Sequence, residues 1–161
     1  MIYTIGHSNI NQESFIKILK LFKIQLVVDV RSSPYSKYVP HFNRENINKS
    51  LKENNIKYIF LGSYIGGKPI DEKYYKDGKV DYDLIAKTDH YKKGIDKIIT
   101  LTSDNNIVLM CSEEDPKSCH RHNLITQSLV KEGFEVIHIR KNGKVNKITK
   151  PNKKDVQKTF F

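Results

Sequence analysis

The chain has 161 residues, only two cysteines, and 28 Lys+Arg against 18 Asp+Glu, for a net charge of +10. That length suits one domain able to bury a core without disulfides or a structural metal, and no uncharged apolar run approaches the roughly 18 residues of a membrane span. Residues 141–161 hold seven Lys and one Asp, +6 of the total, and 24 Lys, 20 Ile and 13 Asn overall match AT-rich codon usage, so basicity argues only weakly for nucleic acid.

Residues 2–5 read as a β-branched strand, Gly6-His7-Ser8-Asn9 as a loop, and Phe15, Ile18, Leu19 and Phe22 as one face of a helix with Asn9 and Gln12 as a capping pair. Residues 25–30 form a second strand, apolar on both faces. The proline- and serine-bearing stretch 31–42 is a loop leading into a polar helix over 43–54 anchored by Ile47 and Leu51. A third strand spans 57–61, and the Gly/Tyr/Lys-rich excursion 62–79 shows no periodicity. Leu84, Tyr91, Ile95, Ile98 and Ile99 mark one helix, 107–110 a fourth strand, 118–132 a helix capped by Ser118 and stopped by Gly133, and 135–140 a fifth strand.

This alternation predicts an α/β fold, a Rossmann-like three-layer sandwich with a mostly parallel sheet of about five strands. The expected organisation is a single domain over 1–140 and a lysine-rich C-terminal extension over 141–161, read as a strand plus a flexible tail. Cytoplasmic location is expected, because the first strand starts at Ile2 without a basic and apolar leader and two cysteines fit a reducing compartment. In such sheets ligands bind beyond the carboxyl ends of the strands, where four loops carrying the unusual residues converge.

The richest loop is Cys111-Ser-Glu113-Glu-Asp-Pro116-Lys-Ser-Cys119-His120-Arg121. With Ser118 as the cap, Cys119, His120 and Arg121 occupy the first helical turn, whose free N–H groups favour an anion or a thiolate. Glu113, two residues past a buried strand, is expected to have its pKa raised by desolvation. Packing of both cysteines with a Glu113–Arg121 ion pair is the plain alternative. Zinc on Cys111, Cys119 and His120 or His122 is another, although a seven-residue spacer without a second pair departs from structural zinc spacings. A phosphatase-like cysteine loop is disfavoured, because Cys111 to Arg121 is C-x9-R and three acidic residues inside it would repel an oxyanion.

Gly62-x4-Gly67-Lys68 matches part of a phosphate-binding loop, but Pro69 has neither the metal-holding hydroxyl nor an N–H, so the glycines read as a close backbone approach. Asp29 and Arg31 flank Val30 at the second strand end, one of them expected to face the cleft. His7 offers an acid/base group or a loop anchor, whereas His90 and His138 read as structural. Tyr35, Tyr38, His41 and Phe42 among Lys37 and Arg44 form a segment suited to stacking on a base.

Together Thr4-Ile5-Gly6-His7-Ser8, Val28-Asp29-Val30-Arg31-Ser32, Gly66-Gly67-Lys68-Pro69 and the Cys111/Glu113/Pro116/Cys119-His120-Arg121 signature resemble the prokaryotic domain-of-unknown-function family 488. The resemblance implies a small cytoplasmic α/β domain and no particular reaction. Its hallmark positions here are His7, Ser8, Asp29, Arg31, Ser32, Gly67, Cys111, Glu113, Cys119, His120 and Arg121.

The expected function is an enzyme acting on a phosphate-bearing small molecule or nucleic-acid end. Glu113, His7, Asp29 and Cys111 are the catalytic candidates, and Arg31, Arg121, Cys119, Ser32 and Ser8 the anion site. Gly67, Lys68, Tyr35 and His120 are assigned to the substrate loop. No cofactor is assigned, with zinc at Cys111, Cys119 and His120 as the exception to test. The alternatives are a non-catalytic nucleic-acid-binding module and thiol or sulfur-transfer chemistry at Cys111 and Cys119.

Overall fold

The computed structural model describes residues 1–150. The apolar runs become β1 (Ile2–Gly6) and β2 (Leu26–Asp29), joined by α1 (Gln12–Leu21), and α2 (Arg44–Glu53) then leads to β3 (Lys57–Phe60). The excursion contains α3 (Gly62–Ile65) and a hairpin of β4 (Tyr75–Lys76) and β5 (Lys79–Val80), followed by α4 (Tyr82–Ala86) and α5 (Asp89–Thr102). Next come β6 (Ile107–Cys111), a π-helical segment Arg121–Thr126 running into α6 (Gln127–Lys131), β7 (Val136–Ile139) and β8 (Val145–Ile148).

The main sheet has the order β3-β2-β6-β1-β7-β8. Its first five strands are parallel and β8 returns antiparallel to β7, so the sheet has six strands where about five were expected. An Asn142-Gly143 turn reverses the chain, with Gly143 at φ 81°. The strand expected in the extension is therefore part of the sheet, and the expected tail beyond residue 150 lies outside the described residues. Among the described residues no helix is long and apolar enough to cross a membrane.

Side-chain alternation along the central strands sorts the core into two layers. Ile5, Val27, Val108 and Met110 pack with Phe15, Leu19, Ile47 and Leu51 of α1 and α2. Val28, Val30, Leu109 and Cys111 pack on the opposite face with Ile65, Tyr91, Ile98 and Leu129 of the later helices. Both layers are closed, which gives the three-layer sandwich.

Local chemistry corrects four boundaries. The α1 cap is Asn11, whose side chain accepts the Ser14 N–H at 2.8 Å, rather than Asn9. The helix expected across Leu84 to Ile99 is two helices, because Thr88 caps α5 by accepting the Tyr91 N–H at 3.2 Å. The structureless excursion contains a hairpin whose Asp77-Gly78 turn has both residues at positive φ, 52° and 75°. Ser118 ends a 3-10 turn, Pro116–Ser118, and Cys119 is extended at φ −133°, ψ 146°, so the cap lies one residue later than expected.

Candidate functional site

Parallel strands bring the loops after β1, β2, β3 and β6 to one edge, and the alternation then divides the expected site between two faces. Cys111 follows Ile107 and Leu109 toward α5 and α6. Asp29 and Arg31 follow Val27, and His7 follows Ile5, toward α1 and α2.

On the first face, Cys111, Cys119 and His120 are buried and their donor atoms all lie within 4.8 Å of one another, close enough to hold a metal ion. His120 Nδ1 stands 3.8 Å from Cys111 Sγ and 3.7 Å from Cys119 Sγ, while Nε2 is 2.9 Å from the Val30 carbonyl. A carbonyl only accepts, so Nε2 carries the proton and the bare Nδ1 lone pair faces the two sulfurs. The Cys111 thiol donates to Glu113 Oε2 at 3.2 Å, and the Arg121 backbone N–H donates to Cys119 Sγ at 3.4 Å. Both cysteines are free.

These contacts split the two thiols. The neighbouring Cys111 thiol holds Cys119 well below the ordinary thiol value against the opposing effect of burial, helped by the Arg121 N–H. Cys111 is pushed well above it by Cys119, by burial and by Glu113. Burial pushes Glu113 up, but hydrogen bonds from the thiols and from its own backbone bring it below the usual carboxylate value. The raised pKa expected for Glu113 is thus corrected: desolvation is present and outweighed.

A cleft of about 190 Å³ opens over this cluster, lined also by Arg31, Ser32, Gly67, Lys68 and Tyr82. Ser32 Oγ accepts the Lys68 N–H at 2.8 Å. A Cβ on Gly67 would sit 2.5 Å from His120 Cγ, so the glycine lets the backbone lie against the imidazole. Gly62 and Gly66 similarly press on the Arg31 carbonyl and the Ser32 hydroxyl, which makes the phosphate-loop-like stretch a loop-on-loop contact. Lys68 has no ion-pair partner among the described residues.

On the second face Asp29 is fully buried and all its acceptor capacity is engaged. Arg31 grips it through Nε at 2.9 Å and Nη2 at 2.7 Å, the Arg31 N–H donates at 3.1 Å and the Tyr58 hydroxyl at 2.5 Å. Asp29 and Arg31 therefore share one face and hold each other, and the expectation of Asp29 as an acid/base is corrected. His7 donates from Nδ1 to the Ser8 carbonyl at 2.8 Å, leaving Nε2 to accept from Arg31 Nη1 at 3.3 Å. It is stacked on Phe42 at 4.4 Å and held down to about 4, chiefly by burial.

Three further assignments are corrected. Arg121 is completely buried and donates to the carbonyls of Glu113 and Glu114 and to Thr4 Oγ1, so no edge remains for an anion. Ser8, at φ 48°, gives its N–H to the Ser112 carbonyl at 2.8 Å and ties two loops together outside the cleft. Tyr35 is exposed and donates to Glu45 at 2.8 Å, away from the cleft.

His122 turns to His138 at 2.9 Å, which leaves His120 as the histidine facing the thiols. His138 also meets Thr4 at 2.6 Å, and His90 donates to the Ser63 carbonyl at 2.8 Å. Sequence reading missed Tyr58 and Tyr82. The cap residue Asp81 is the only local signal for the latter, whose pKa is raised by burial and by the charges of Cys119 and Cys111.

A protein-family model described as "Domain of unknown function DUF488" matches residues 11–127. No curated protein and no solved structure matches the chain.

Proposed function

The chain belongs to the DUF488 family, a domain of unknown function, and from that premise we propose that it is an enzyme built on a transition-metal centre at the carboxyl edge of the sheet. The ligands are Cys111 Sγ, Cys119 Sγ and His120 Nδ1, the preferred metal is zinc, and the substrate is a small anion such as a phosphate-bearing molecule. One observation carries the reading. Tetrahedral zinc with ordinary Zn–S and Zn–N lengths holds its sulfur and nitrogen donors roughly 3.6 Å apart. His120 Nδ1 lies 3.7 and 3.8 Å from the two sulfurs.

The surroundings support the same reading. Metal-bound imidazoles typically donate their other N–H to a carbonyl or carboxylate, as His120 does to Val30. The Arg121 N–H compensates charge on Cys119. Two sulfurs and one nitrogen suit a borderline-soft ion, and three protein ligands leave a position open to water or substrate. Zinc so held polarises substrate oxygens and lowers the pKa of bound water toward neutrality. Glu113, 3.2 Å from Cys111 Sγ, is the group placed to accept and return a proton. Lys68 supplies a cation to the cleft that has no ion-pair partner among the described residues. Arg31 contributes less charge than expected, since Asp29 holds its guanidinium.

Metal analysis of the purified full chain tests this. About one equivalent of zinc is expected, lost in Cys119→Ser and His120→Ala variants that keep the native circular dichroism spectrum. A chain that retains no metal and does not compete with a chromophoric chelator for micromolar zinc overturns the reading. The second reading, nucleophilic thiol chemistry at Cys119, is favoured by its depressed pKa and the N–H directed at its sulfur. It requires rapid alkylation of Cys119 by iodoacetamide at neutral pH, and fails if neither thiol reacts.

A further inference from the structure

Next to the thiol cleft lies a second space of about 330 Å³, and Ser32 and Lys68 line both. The two cavities are therefore neighbours across one serine and one lysine. Their chemistry differs. The first holds sulfur, imidazole and carboxylate, whereas the second is lined by Tyr64, Tyr74, Tyr91 and Ile85 together with Asp71 and Thr88.

Two of the tyrosines are held by their neighbours. Gly94 of α5 allows α3 to press onto it: a Cβ there would lie 2.4 Å from Ile65 Cγ2 and 2.8 Å from Tyr64 Cβ. His90 is stacked on the Tyr64 ring at 4.7 Å and anchored on the Ser63 carbonyl. Tyr91 is buried and its hydroxyl is joined to Ser128 at 2.8 Å. A concave space that combines aromatic and apolar walls with a few charged and hydroxyl groups is the usual form of a small-molecule subsite.

The geometry points to a substrate with two parts: a planar aromatic or heteroaromatic body seated among Tyr64, Tyr74 and Ile85, and an anionic group held at Lys68 between the chambers. This deepens the proposed function, because it rests on the first cleft taking a small anion and adds what that anion is attached to. The tyrosines favour a flat π-system over an aliphatic group of similar size. Lys68 lines both spaces and has no carboxylate partner of its own among the described residues, while Asp71 of the same wall is paired with Lys73 at 3.6 Å.

Titration of the isotopically labelled full chain, followed by amide NMR, with inorganic phosphate, phenyl phosphate and cyclohexyl phosphate tests the assignment. Phenyl phosphate is expected to bind at least tenfold more tightly than either of the others, shifting Tyr64 and Thr88 as well as Ser32 and Lys68. Tyr74→Ala should remove that gain and leave phosphate affinity unchanged, Tyr74→Phe should keep it, and Lys68→Ala should weaken all three. Equal affinity for phenyl and inorganic phosphate, equal affinity for phenyl and cyclohexyl phosphate, or a folded Tyr74→Ala variant that keeps the gain overturns the proposal. Zinc content measured on the same samples separates the two readings. A metal-free chain that shows the gain overturns the metal centre alone, and a zinc-loaded chain without it overturns the aromatic subsite alone.

Discussion

Arg121 shows what a buried guanidinium can do when no carboxylate faces it. Its donors reach the carbonyls of Glu113 and Glu114 and the hydroxyl of Thr4, so it staples the loop after β6 to β1 and to the helix that follows. Replacement by Met leaves those acceptors dry and unpaired, at about 1–3 kcal/mol each. Arg121→Met is expected to lose about 3 kcal/mol or more in urea unfolding, and Lys restores little because a point charge cannot span the three acceptors. Gly67 acts through contact instead. A methyl group 2.5 Å from His120 Cγ must displace the imidazole. Gly67→Ala is therefore expected to weaken zinc affinity at the proposed centre by about 10–100-fold in chelator competition, the usual range for disturbed ligand support, and to lower the unfolding midpoint as well, because the imidazole is pushed off the Val30 carbonyl.

At the scale of elements, most of the architecture was legible in the chain because apolar periodicity reports burial directly. The strand, helix and loop order is visible in residues such as Val27-Val28 and Phe15/Leu19, and the parallel sheet follows from their alternation. Short-range polar chemistry was harder to place. Asn9 and Asn11 both offer a capping oxygen, and only the path of the preceding loop selects Asn11. Asn11→Ala is expected to cost about 1 kcal/mol in unfolding experiments, whereas Asn9→Ala should cost much less. The helix after Cys119 opens with a π-helical segment, Arg121–Thr126, in which the Thr126 hydroxyl donates to the Arg121 carbonyl at 2.5 Å. Its widened turn shifts which side chains face inward, and a 3.6-residue reading of 118–132 cannot anticipate that.

Among the described residues the lysines are exposed and five ion pairs form. The acid response of the whole molecule is set by buried groups. Burial chiefly lowers His7 to about 4 and His138 to about 3. Both stay neutral in the folded chain while the unfolded chain takes up protons near pH 6.5. Stability is therefore full above that value and falls as pH drops, by about 2.7 kcal/mol per pH unit for the two together between roughly pH 6 and 4.5. Urea unfolding at pH 7.5, 6 and 5 checks this slope. A flat profile would mean that the imidazoles are protonated in the fold.

Taken alone, the sequence determined that strands and helices alternate, that the loops bearing Gly6-His7, Asp29–Arg31, Gly67-Lys68 and Cys111–Arg121 meet at one sheet edge, and that the chain carries the family signature. These follow from local periodicity and chain connectivity. Only the tertiary structure decided which polar groups remain available. Asp29 is consumed by Arg31 and Tyr58, and Arg121 by backbone carbonyls, while His120 is turned by Val30 so that its free nitrogen faces two thiols. The physical reason is that a charged or polar side chain taken from water must find partners. Those partners come from strands and loops distant in sequence, as with Tyr58 for Asp29, where no spacing rule reaches.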